Sequence, residues 1–196
     1  MSRGLGDVYK RQMKDITDII QTQEHIKTLA YTDFLTSLKN RRSLYHYLEN
    51  DLANKNIPLT VLFIDLDNFK KLNDSFGHHV GDKALVHIAE KLANICDDAF
   101  VARVGGDEFV VIWEQISDEI LTQKLDLLLN KMRTEFSRGE YANIVSVSIG
   151  VVRNECSSGD VETILLKGDL AVYKAKEKGK NQYVIYTCLL YTSPSP

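Results

Sequence analysis

The feature that most constrains this chain is a pair of β-type runs, Phe100–Val104 and Phe109–Trp113, held apart by only Gly105, Gly106, Asp107 and Glu108. Apolar β-rich runs joined by a Gly-Gly turn predict a β-hairpin, with the glycines expected to supply positive φ. The turn itself does not need two adjacent carboxylates. Like charges at a tight tip repel unless a cation is present, so Asp107 and Glu108 ask for a function.

The 196 residues are enough for one well-buried core, and 44% hydrophobic with 26% charged residues excludes wholesale disorder. A net charge of -3 argues against a general nucleic-acid binder, although a few lysines can still hold a triphosphate. Cys96, Cys156 and Cys188 have neither disulfide-framework nor metal-ligand spacing, which suits a reducing cytosol. No apolar run reaches the roughly 18–20 residues that span a bilayer, and no signal peptide opens the chain, so a cytoplasmic location is expected.

Two end segments fit no periodicity: GLGDVYKRQ (4–12) and CLLYTSPSP (188–196). Codons can be chosen for the first whose reverse complement, one base out of frame, encodes the second. They read as a translated adapter word, so residues 1–12 and 188–196 are set aside as non-native tails. The native segment is then about 13–187, taken from a longer protein whose sensory domain would lie upstream and which could be membrane-bound.

Residues 13–31 place Ile16, Ile19, Ile20, Ile26 and Leu29 at helical spacing, an amphipathic linker helix that would pair with a second copy or pack locally. Residues 32–187 form the expected single catalytic domain. Asp33 is expected to cap a helix carrying Leu35, Leu38, Leu44, Tyr45 and Leu48. Leu59–Asp65 reads as a central strand, followed by a polar loop and a helix over about 80–95. After the hairpin come a helix over 118–136 with Ile120, Leu121, Leu125, Leu128, Leu129 and Met132 inward, and a strand over Ile144–Val152. A helix over 160–178, ended by Gly179, and a strand over Tyr183–Tyr186 close the domain. Two β-α-β halves around a hairpin predict an α+β ferredoxin-like sandwich with a central antiparallel sheet flanked by helices.

Chemistry concentrates at four places. Asp65 and Asp67 leave the central strand on one side, and together with Asp107 and Glu108 suit a hard cation bound to phosphate. The polar stretch 68–82 holds Lys70, suited to a phosphate, and Asn73 with Asp82, suited to a guanine edge. His78 reads as a hydrogen-bonded histidine rather than a base. Lys176 and Lys180, four apart at a helix end, either complement the helix dipole or reach a common triphosphate.

These residues resemble the GGDEF-domain diguanylate cyclase family: GGDEF (105–109), FIDLDNFKKLND (63–74) through Gly77-His78 and Gly81-Asp82, DFLTSLKNRR (33–42), SVSIG (146–150) and YKAKEKGKN (173–181). The resemblance covers about residues 30–186. It implies the fold of nucleotidyl cyclases and polymerase palms, and Mg²⁺ (or Mn²⁺) on Asp65, the Leu66 carbonyl, Asp107 and Glu108, with Asp107 and Glu108 catalytic. Asn73 and Asp82 would read guanine, Lys70, Lys176 and Lys180 would hold phosphates, and His78, Gly105 and Gly106 would complete the substrate site.

The implied reaction joins two GTP into cyclic di-GMP and two pyrophosphates in a homodimer of facing active sites, brought together by the N-terminal helix. The alternative is an inactive domain that binds GTP or a protein partner; a mononucleotide cyclase is a third reading. Two positions depart from the family. Cys96 and Ala99 stand where many members carry an inhibitory Arg-x-x-Asp motif, so product inhibition of that kind is not expected. Ser37 replaces a usual glycine, at a cost on the order of 1 kcal/mol if its φ is positive.

Overall fold

A computed structural model describes residues 28–52, 55, 57–135, 145–154 and 161–187. Both proposed tails and most of the 13–31 helix lie outside the described residues; within them, residues 28–31 are helical.

The elements run β1 (Lys39–Asn40), α1 (Arg41–His46, continued by one π-helical turn, Tyr47–Asp51), β2 (Leu59–Asp67), α2 (Phe69–Phe76), α3 (His78–Ile95), β3 (Phe100–Arg103), β4 (Glu108–Glu114), α4 (Asp118–Glu135), β5 (Ser146–Asn154), α5 (Val161–Glu177) and β6 (Tyr183–Ile185). They build one six-stranded sheet in the order β1-β3-β4-β2-β5-β6. β2 pairs antiparallel with β4 and β5, and β3 pairs antiparallel with β4. The two outer pairs, β1 with β3 and β5 with β6, are parallel. The inner four strands have the split β-α-β order expected of the ferredoxin-like sandwich.

Strand β2 is apolar along both faces because both are covered. Leu62, Ile64 and Leu66 join Leu85, Ile88 and Leu92 of α3 and Leu121, Leu125 and Leu128 of α4 in one core. Val61 and Phe63, pointing the other way, join Leu44 and Leu48 with Ile164 and Val172 of α5 in a second. Helix α5 lies close to the sheet because glycines meet there. A Cβ on Gly150 would come 2.7 Å from the Gly168 carbonyl oxygen and the Val172 nitrogen, and one on Gly168 would enter the Phe63 ring.

Four expectations are corrected. The polar stretch after β2 is not a loop: α2 fills it, its apolar residues Phe69, Leu72 and Phe76 hidden among lysines and asparagines, and only Gly77 separates it from α3. Asp33 caps a turn rather than a helix, accepting from the Thr36 backbone N–H at 2.9 Å; α1 begins at Arg41, capped by Asn40, whose side chain accepts from Ser43 N–H at 3.0 Å. Ile120, expected inward, is 48% exposed on the outer side of α4. Gly105 and Gly106 do not adopt the left-handed φ expected of the hairpin turn. A Cβ on Gly105 would stand 2.5 Å from Glu108 Oε2, the end of an exposed side chain that can move aside. Ser37 does have a positive φ, 61°.

Candidate active site

The sheet register alone gathers the acidic residues. Asp65 lies opposite Glu108 across the β2–β4 ladder and opposite Ser148 across β2–β5. Leu66 N–H donates to the Asp107 carbonyl oxygen at 3.2 Å, tying the turn to the next position of β2. Asp65, Asp107 and Glu108 therefore share one end of the sheet, as the sequence led one to expect.

Asp65 is held from above. Lys176, in the last turn of α5, places Nζ 2.6 Å from Asp65 Oδ1. Burial pushes the Asp65 carboxyl above its ordinary range; Lys176 pulls it down without cancelling that effect, and the charges of Asp107 and Asp67 add to the rise. Glu108 folds its carboxylate over Gly105. A cavity of about 320 Å³ adjoins these groups, with Asp65, Glu108 and Lys176 on its wall and Arg41, Tyr45, Asp169 and Tyr173 across from them.

Oxygen donors of this kind suit a hard divalent cation. Among the described residues, however, no three His, Cys, Asp or Glu side chains stand close enough to hold an ion together. Asp65 is engaged instead by the Lys176 ammonium. The Leu66 backbone is tied into the same corner through Asp107.

The other residues singled out by sequence fall around this corner. Asn73 Oδ1 is buried against Gly81 and has no hydrogen-bond partner among the described residues. Asp82, one residue on in α3, faces a second cavity of about 350 Å³ that also touches Leu35, Arg41 and Gly105. Lys70 is exposed on α2, and His78, expected to be hydrogen-bonded, is exposed at the first turn of α3 with no side-chain hydrogen-bond partner among the described residues. Lys180 donates to Asn68 Oδ1 at 2.8 Å. Lys176 and Lys180 thus approach the end of β2 from one side, Lys176 onto Asp65 and Lys180 beside Asp67. Asp67 itself turns away from solvent, 1% exposed, to accept from Ser146 and Ser148.

Sequence reasoning missed one connection and one partner. Arg103 Nη1 stands 2.9 Å from Asp33 Oδ1, while its Nε and Nη2 donate to the Gly106 carbonyl oxygen at 3.3 and 2.8 Å. One guanidinium therefore joins the entry turn of the domain to the hairpin tip. Arg41, in the first turn of α1, lines both cavities. Its charge in the run NRR was the available signal, with no spacing to mark its target.

Of the two positions that depart from the inhibitory motif, Cys96 is buried and Ala99 half-buried. Cys96 is buried at the end of α3, and burial pushes its thiol up to about 12. Neighbouring Asp98 accepts from Trp113 Nε1 at 2.9 Å and from Lys124 Nζ at 2.8 Å.

Comparison with known proteins agrees with the fold. The chain is 35% identical over 178 residues to a diguanylate cyclase of Vibrio cholerae serotype O1, matching 88% of this chain and 54% of that one. It is 33% identical over 175 residues to the cyclic di-GMP phosphodiesterase PdeR of Escherichia coli K12, matching 88% of this chain and 26% of that one. The chain thus spans about a quarter to a half of these relatives. Among solved structures, the coiled coil and GGDEF domain of DgcB from Caulobacter crescentus, in complex with c-di-GMP, superposes with a TM-score of 0.82 at 21% identity, covering 93% of this chain and all of that one. The description "Diguanylate cyclase, GGDEF domain" matches residues 30–182, and the chain belongs to that family.

Proposed function

We propose that this domain condenses two molecules of GTP into cyclic di-GMP, releasing two pyrophosphates, with a divalent cation and as a dimer. The observation that carries the reading is the placement of Asp65, Asp107 and Glu108 at one end of the sheet, with Lys176 on Asp65. Family membership and the diguanylate cyclases among the relatives support it.

Each residue has a part. Asn73, with its buried unpaired amide oxygen, and Asp82, on the second cavity, would read the guanine edge. Lys70, Lys176 and Lys180 would take the phosphates; His78 and the Gly105–Gly106 backbone would complete the substrate site. Asp65, the Leu66 carbonyl and Asp107 would hold Mg²⁺ or Mn²⁺, with Glu108 beside them. The cation would supply charge neutralisation for the triphosphate and the attacking ribose oxygen. Asp65 would turn to that cation and Lys176 to the phosphates, a short exchange because the two are already in contact. Glu108, exposed on the hairpin, would receive the proton of the ribose 3′-hydroxyl as its oxygen attacks the α-phosphate of the facing GTP.

One domain holds one GTP, so two must face each other. The buried Cys96, with Asp98 engaged by Trp113 and Lys124, supports the absence of the usual inhibitory site. Among the described residues no helix is long and apolar enough to cross a membrane. We place the domain in the cytoplasm, where GTP is available.

The test is the order of the reaction. With GTP and Mg²⁺, cyclic di-GMP should form at a rate that rises faster than linearly with protein concentration until the dimer saturates. Bound but unconverted GTP would instead identify an inactive binding module.

A further inference from the structure

Asp67 is the second carboxylate of a pair whose first member lies in the active site. It stands two residues beyond Asp65 on the same strand, 1% exposed, and the cavity beside Asp65 does not reach it. Both its oxygens are used: Oδ1 accepts from Ser148 Oγ at 2.7 Å, and Oδ2 accepts from Ser146 Oγ at 2.6 Å and from Asn181 N–H at 3.2 Å. The two serines belong to the neighbouring strand and come with the sheet. The third donor comes from the loop after α5.

That loop has an uncommon backbone. Gly179, Lys180 and Asn181 have φ of 113°, 64° and 50°, three left-handed residues in a row of which two carry side chains. L residues hold such angles only where their surroundings over-determine them. Lys180 N–H closes back on the Ala175 carbonyl oxygen at 3.0 Å, and Asn181 N–H is left pointing at Asp67. A carboxylate beneath an amide of a left-handed turn is an anion seated against backbone dipoles. The result of the turn is that Lys180 leads back over the strand end and meets Asn68 Oδ1, on a residue that is itself left-handed at φ 61°.

We propose that Asp67 is a positioning residue for the triphosphate arm of the site. It anchors the Gly179–Asn181 turn to the end of β2, and so fixes where Lys180 stands and where α5 ends, with Lys176 in its last turn. It does this without touching substrate or cation. The inference rests on the reading that Lys176 and Lys180 hold phosphates.

Three variants of the full chain test it. Asp67→Ala removes the anchor; the KM for GTP should rise about tenfold while kcat stays within about threefold. Asp67→Asn keeps an amide oxygen for Asn181 N–H and turns an NH₂ toward the rotatable Ser148 hydroxyl, so KM should return to within about threefold of the unmodified protein. In a Lys180→Met background, Asp67→Ala should add clearly less than its full tenfold, because the part of its effect that acts through Lys180 is already lost. A full multiplicative loss in that cycle, or an Asn variant as damaged as the Ala variant, overturns the proposal.

Hydrogen exchange at the Asn181 amide reads the anchor without turnover. It should be protected in the unmodified protein and exchange at least about tenfold faster in Asp67→Ala. A freely exchanging Asn181 amide in the unmodified protein overturns the proposal even where Asp67→Ala fails to fold. If GTP is bound but not converted, the cyclase reading fails while GTP affinity replaces KM in every comparison.

Discussion

Lys176 Nζ stands 2.6 Å from Asp65 Oδ1, so the last turn of α5 closes directly onto the acidic end of β2. The carboxylate is 15% exposed and the lysine 37%. Replacing the lysine by methionine leaves Asp65 facing Asp107 and Asp67 with no cation. Because the lysine is partly solvated, the stability loss should be about 1 kcal/mol, read by urea unfolding. The functional loss should be larger, on the order of 10²-fold in kcat/KM for GTP, since the same ammonium serves the phosphates. A stability loss with unchanged kcat/KM contradicts this assignment.

Asp33 and Arg103 make a pH-dependent joint. Burial alone would raise the Asp33 carboxyl, but hydrogen bonds from Thr36 and Arg103 together outweigh it and hold the group below its ordinary value. A depressed carboxyl contributes stability that is fully present above its unfolded value, near 3.8, and is lost as pH falls through the folded value beneath it. The protein should therefore exceed Asp33→Asn in stability by about 1–2 kcal/mol at neutral pH. Denaturant titrations should show the gap closing only below that range. A gap independent of pH contradicts the account.

Two glycines should behave in opposite ways. At Gly150 a methyl group meets α5 backbone at 2.7 Å, so Gly150→Ala should cost about 1–3 kcal/mol and raise the KM for GTP by shifting Lys176. At Gly106 nothing lies within 4 Å of a new Cβ, so Gly106→Ala should change stability by less than about 0.5 kcal/mol. Thermal unfolding of the two variants side by side decides it.

The sandwich was legible because its signals are local and strong. β2 and the hairpin are apolar runs with turn chemistry between them, and Gly179 ends α5 where expected. Helix α2 was not legible, since its three apolar residues are diluted by polar ones that looked like loop. Of the site, the residues gathered at the end of β2 could be named from strand alternation and turn chemistry. Their partners could not. That Lys176 reaches Asp65 depends on how closely two glycines let α5 approach the sheet, and that Asp67 is buried rather than metal-facing depends on two serines 79 and 81 residues away. Arg103 lies within the first run of the hairpin, yet its bond to Asp33 spans 70 residues and no sequence spacing announces it.

Cys96 should be inert and the enzyme free of the usual product inhibition. A buried thiol pushed up to about 12 presents almost no thiolate, so alkylation of Cys96 should occur only on unfolding. Micromolar cyclic di-GMP should leave initial rates unchanged. Inhibition that disappears when residues 96–99 are substituted would contradict this.

The central claim is that Asp65, Asp107 and Glu108 form the centre for joining two GTP. The most direct measurement is chromatographic separation of nucleotides after incubating the protein, and its Asp107→Ala variant, with GTP and Mg²⁺. The account predicts cyclic di-GMP with two pyrophosphates per product from the unmodified protein and none from the variant. GTP left intact at every protein concentration, cyclic GMP as the product, or undiminished turnover by Asp107→Ala would contradict it.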